Sequence, residues 1–116
     1  MSISTLAALR LAGEFERAAE FVRQHEDEVP AEWQAAWANE TAALAWHRGD
    51  AEAALKLWSE QPDSVPVLFN RGMACLFLGR HAEAKAHLSQ AIAQLPESSS
   101  WHHLGALYLA LAQTNA

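Results

Sequence analysis

Cysteine occurs once, at Cys75, so the chain can close no internal disulfide. That usage fits a reducing, cytoplasmic setting. Basic residues are scarce: 8 Lys and Arg stand against 14 Asp and Glu, a formal net charge of −6 with His neutral. Such a balance makes a poor nucleic-acid binder, because duplex affinity comes mostly from clustered cations on phosphates. Long hydrophobic runs are missing as well. The strongest, Leu104 to Ala112, spans nine residues, about half of the ~18 that cross a bilayer. No membrane association is expected. Met1 to Gly13 lacks a basic stretch ahead of its apolar residues, so no secretory leader is expected. Proline appears only at 30, 62, 66 and 96, and glycine only at 13, 49, 72, 79 and 105. No stretch alternates β-branched residues with period two, so no strands are expected.

What remains between the breakers is rich in Ala, Leu, Glu, Gln and Arg, which are good helix formers. At 51% apolar residues the chain is not an intrinsically disordered tail. Seven helices are expected, near 3–12, 14–27, 31–48, 50–60, 65–78, 81–95 and 98–113. The second carries Phe15, Ala18, Ala19 and Val22 on one face, the fourth Ala51, Ala54, Leu55 and Trp58, and the sixth Ala84, Leu88, Ala91, Ile92 and Leu95. These i, i+3, i+4, i+7 stripes give helices with one buried side. The fifth is apolar on two sides, with Leu68, Gly72, Cys75 and Gly79 on one and Phe69, Met73, Leu76 and Phe77 on another. It must be packed on both or expose a binding surface. Connections this short make sequential helices antiparallel neighbours. The fold class is therefore all-α, built of stacked helical hairpins.

Three turns share one pattern: Gly, Ala at +5, and a larger apolar residue at +9. The instances are Gly13–Ala18–Val22, Gly49–Ala54–Trp58 and Gly79–Ala84–Leu88, with the glycines 36 and 30 residues apart. Glycine supplies the left-handed residue that ends a helix. The Ala allows a close helix crossing, and the larger residue fills the space one turn on. Gly72 lies inside a helix, where it costs about 1 kcal/mol relative to Ala. Gly105 holds the equivalent place 33 residues later, and both predict close backbone approach by a neighbouring helix.

A helix–turn–helix period near 34 resembles the tetratricopeptide repeat (TPR). The best copy, Val65 to Glu97, carries Leu68, Gly72, Gly79, Ala84, Leu88, Ala91 and Pro96, and Trp101-x-x-Leu104-Gly105-x-x-Tyr108 matches the W-x₂-L-G-x₂-Y signature. Arg71 and Cys75 depart from the usual Leu and aromatic residue, and Ala42 replaces the helix glycine in the preceding copy. The resemblance implies one TPR-like domain over 1–116, with units of about 1–29, 30–63 and 64–97 and a half-repeat at 98–116. It implies a right-handed superhelix whose concave groove is lined by the first helix of each repeat. Mapped onto this chain, the groove takes Asn39, Ala43, Trp46 and His47, with Glu40 also in line. It continues with Phe69, Asn70, Met73, Leu76 and Phe77, then His102, His103, Ala106 and Leu109. Such a surface suits an apolar peptide or helix of another protein. Apolar stripes at helical spacing also read as inter-repeat core, and Trp46, Leu76 and Phe77 fit that role equally. The cations with which one branch of the family clamps acidic peptides are replaced by Asn39, Phe69 and Glu40.

The expected function is a non-enzymatic protein-interaction module or scaffold. The alternative is a small dedicated chaperone for an aggregation-prone client, such as a secretion-system subunit. The six histidines include no i, i+4 pair and there is no cysteine pair, so no metal site and no cofactor is expected. No phosphate-cradling glycine loop or nucleophile elbow is present, and Cys75 sits at a packing position. Glu26-Asp27-Glu28 reads as a solvated turn. The last helix is apolar around most of its circumference. Leu107 and Leu111 are expected to bury themselves in a homodimer or against another protein, unless exposed leucines are simply tolerated.

Overall fold

Side-chain caps set two of the helix starts. The computed structural model describes residues 3–114. Its seven helices are α1 (Ile3–Leu11), α2 (Phe15–His25), α3 (Gln34–His47), α4 (Ala51–Ser59), α5 (Val65–Phe77), α6 (His81–Ala93) and α7 (Ser100–Thr114). No strand occurs among the described residues. Ser64 precedes α5 in extended backbone, and its Oγ accepts the Val67 N–H at 3.3 Å. Pro66 sits in that first turn, where its missing N–H leaves nothing unpaired. Asp50 caps α4 in the same way, accepting the Ala53 N–H at 3.0 Å.

Helix ends repeat one geometry. Gly79 adopts φ +78°. Its N–H donates to the Leu76 carbonyl at 3.1 Å, and the Arg80 N–H reaches back to the Cys75 carbonyl at 2.8 Å. The same pair of bonds closes α1 through Gly13 and Glu14 and α3 through Gly49 and Asp50. Each pair satisfies carbonyls that the helix leaves free and demands a left-handed residue between them.

Several helix ends differ from the sequence expectation by two or three residues, and two of them have a clear local cause. Helix α3 begins at Gln34 rather than 31, because Ala31–Trp33 form a 3₁₀ turn closed by Trp33 N–H to the Pro30 carbonyl at 2.9 Å. Helix α2 stops at His25, before Glu26–Glu28, which form a second 3₁₀ turn. Three successive carboxylates oppose the negative end of a helix, so the α geometry does not extend through them.

The chain divides into two compact units, Met1–Leu57 and Trp58–Ala116. In the first, Leu6, Ala18, Ala19, Val22, Trp37 and Leu44 form the buried core, with Phe15, Phe21 and Val29 packed against it. Helix α1 lies against both α2 and α3. In the second, α5 packs on α6, and α7 lies against both. Leu68, Phe69 and Ala91 are buried there, with Leu95, Leu104 and Tyr108 packed around them. The two helix glycines mark the closest approaches. A Cβ on Gly72 would lie 2.5 Å from Leu88 Cγ, and one on Gly105 would lie 3.0 Å from Ile92 Cγ1 and 3.1 Å from Phe69 Cε2.

Arg71 is the one buried charged residue of the described chain, at 7% exposure. Its Nε donates to the Trp58 carbonyl at 3.0 Å, and Nη2 donates to the Gln61 carbonyl. Nη1 meets the Asp63 carboxylate at 2.6 Å. The guanidinium thus satisfies carbonyls at and beyond the end of α4 and ties down the loop that leads into α5. A buried cation survives only with such partners.

Candidate functional site

The first turns of α5 and α7 and the segment after α6 enclose an apolar recess of about 320 Å³. Its walls are Val65, Pro66, Phe69, Asn70, Leu95 and Trp101. The caps position them. Ser64 starts α5 so that Val65 and Pro66 fall in its first turn and Phe69 and Asn70 one turn on. Ser99 Oγ accepts the Trp101 N–H at 3.1 Å and holds the start of α7. Phe69 is 5% exposed, while Trp101 is 61% exposed. Their rings meet edge to face, centroids 5.5 Å apart at 86°, and Tyr108 stacks beside Phe69 at 5.9 Å. Such tilted pairs fix ring orientation beyond simple area burial. The recess is therefore preformed and apolar. Asn70 adds the single amide on its wall.

The sequence-derived groove residues fall into separate settings. On α3, Asn39, Ala43 and Trp46 are half-buried and His47 is exposed. Arg10 of α1 grips Glu40 with two bonds, Nε to Oε2 at 2.9 Å and Nη2 to Oε1 at 3.3 Å. Arg10 Nη1 also donates to His47 Nδ1 at 3.1 Å. Glu40 and His47 thus help to dock α1 on α3. On α5, Phe69 and Asn70 line the recess, Met73 and Leu76 are half-buried, and Phe77 is 73% exposed. On α7, His102 and Leu109 are half-buried and Ala106 is exposed. His103 is exposed and donates from Nε2 to the Glu97 carbonyl at 2.8 Å. Leu107 and Leu111 are 56% and 43% exposed.

Sequence reasoning missed Val65, Pro66, Leu95 and Trp101 as walls. The Ser64-x-Pro66 start was the available signal for the first two. Cys75 is buried, its thiol 3.9 Å from Glu83 Oε2. No group of three His, Cys, Asp or Glu among the described residues could hold a metal ion. No described helix is long and apolar enough to cross a membrane.

Two histidines are held below the ordinary imidazole range. For His47 the main cause is burial, helped by the Arg10 guanidinium and opposed by Glu40. For His87 it is again burial, then the Arg71 charge, opposed by Glu83 and Asp63. A His lowered in the fold binds fewer protons there than in the unfolded chain. Stability therefore falls as pH drops from about 6.5, the unfolded value, toward the folded one. The melting temperature is expected to decrease between pH 7.5 and pH 5.5, and His87→Gln together with His47→Gln is expected to flatten that slope. An unchanged slope in the double variant would remove both histidines as its cause.

Residues 65–98 match the family model of the tetratricopeptide repeat. This stretch is a TPR-like repeat within an all-helical chain. No curated protein and no solved structure matches it. The TPR-like stretch runs from the first turn of α5 past the end of α6, and holds every recess wall except Trp101. A tetratricopeptide repeat points to a protein–protein interaction module.

Proposed function

We propose that the module binds an apolar segment of another protein and seats one aliphatic or aromatic side chain of that segment in the recess. The carrying observation is the preformed apolar cavity of about 320 Å³ with a largely exposed Trp101 at its rim. A cavity of this size is at the small end of ligand sites, about 300–1,000 Å³, and suits an anchor residue. Exposed Trp beside a pocket is a typical energetic anchor of interfaces. Met73, Leu76 and Phe77 extend the apolar contact along α5, and methionine adapts to irregular shapes.

Selection from a displayed peptide library on the full chain tests this reading. Enriched peptides are expected to share an aliphatic or aromatic anchor. Trp101→Ala and Pro66→Glu should each weaken them about tenfold, roughly 1.4 kcal/mol, with the circular dichroism spectrum of the folded chain unchanged. Selected peptides that bind both variants as tightly as the parent would overturn it.

A further inference from the structure

Helix α7 is the only one of the seven described helices without an Asp, Glu, Lys or Arg. Its inward side is marked by Gly105 and Ala112, both buried. The opposite side presents His103, Ala106, Leu107, Ala110, Leu111 and Thr114, all exposed. The repeat register makes this exposure unusual. With Gly105 equivalent to Gly72, Leu107 stands where α5 has Ala74, which is fully buried. Leu107 is thus exposed at a position that the preceding repeat buries, and Leu111 lies beside it one turn on.

We infer that this face pairs with its own copy, α7 against α7, antiparallel about a two-fold axis that passes between positions 108 and 109. The inference is independent of the recess, whose walls lie elsewhere on the helix. Two observations select a second copy over other apolar partners. The first is charge. A chain with net charge −6 repels its own copy wherever acidic groups face one another, and this helix face has none. The second is self-complementarity, which a two-fold interface requires. Antiparallel pairing about that axis sets Leu107 opposite Ala110 of the second copy and Leu111 opposite Ala106. Each large side chain meets a small one, twice over. His103 then falls opposite Thr114, so the polar groups lie at the two ends of the contact, in water. Among the exposed positions of α7, no other antiparallel register sets both leucines opposite alanines. One helix pair buries less than the roughly 1,200–2,000 Å² of stable complexes, so the dimer is weak and its population follows concentration.

Sedimentation equilibrium of the full chain tests the pairing, from about 5 µM to about 500 µM. The mass is expected to rise from 12.7 kDa toward twice that value. Leu107→Glu should hold the chain monomeric at least about tenfold further up the range, with an unchanged circular dichroism spectrum because Leu107 is exposed. Register is read separately, with Leu107→Cys and Ala110→Cys as single variants and the buried Cys75 left in place. Mixed under mild oxidation, the two should cross-link to each other faster than either does to itself. A mass that stays at the monomer value, a dimer indifferent to Leu107→Glu, or self-linking as fast as mixed linking would each overturn the pairing.

Discussion

Arg71→Leu is expected to lower stability by about 2–4 kcal/mol, although it installs the residue type that the repeat resemblance anticipates at that position. The substitution keeps an apolar stem of similar length but removes five donors. The Gln61 carbonyl then loses the guanidinium, and the Trp58 carbonyl keeps only the Gln61 N–H at 3.2 Å. A buried acceptor left unpaired costs about 1–3 kcal/mol. The ion pair itself contributes less, since the Asp63 side chain is 69% exposed and exposed pairs are worth about 0–1 kcal/mol. Asp63→Asn should therefore cost under about 1 kcal/mol. Urea unfolding of the two variants separates these roles. Equal losses would show that the charge pair, and not the capture of the carbonyls, makes Arg71 necessary.

Gly72→Ala should destabilise the fold by up to about 2 kcal/mol, because overpacking of about 1–3 kcal/mol is set against a helix-propensity gain of about 1. The added methyl would sit 2.5 Å from Leu88 Cγ and 2.7 Å from its Cδ2, with the Leu88 backbone nitrogen at 3.3 Å. Leu88 has no exposed surface, so it has no room to yield. Leu88→Ala alone should cost about 2–5 kcal/mol through lost burial and a residual cavity. In that background Gly72→Ala should become stabilising, since the methyl refills part of the space and propensity acts unopposed. The sign reversal is the test, and a double-mutant cycle in urea measures it. Additive effects would mean that Gly72 is required for some reason other than Leu88.

Much of this architecture is legible in the amino-acid order. The apolar period places all seven helices, and Gly13, Gly49 and Gly79 mark three turns because only glycine enters left-handed backbone cheaply. Gly72 and Gly105 announce their close contacts because a helix tolerates such residues only where a side chain would clash. The site was less legible. Phe69 belongs to the expected groove, yet its ring forms a buried wall under Trp101, a pairing that spans 32 positions and leaves no periodic trace. Arg71 reads in sequence only as a departure from a repeat pattern, since its partners are backbone carbonyls ten and thirteen residues earlier. The Arg10–Glu40–His47 cluster joins residues at least 30 apart. Local propensity and helical period report which faces are apolar. They do not report which polar groups meet across helices.

The order of contacts bears on how the chain reaches this state. The helix pairs that pack most extensively, α5 with α6 and α6 with α7, are successive in sequence. Closing the short loops between them costs little chain entropy, so the search for native partners is brief. The α5–α6 hairpin assembles from neighbouring segments, and α7 then closes over Phe69, whereas α1 and α2 complete their core only when α3 supplies Trp37 and Leu44. The chain can thus mature in the direction of its synthesis, each unit completing its core when its third helix arrives.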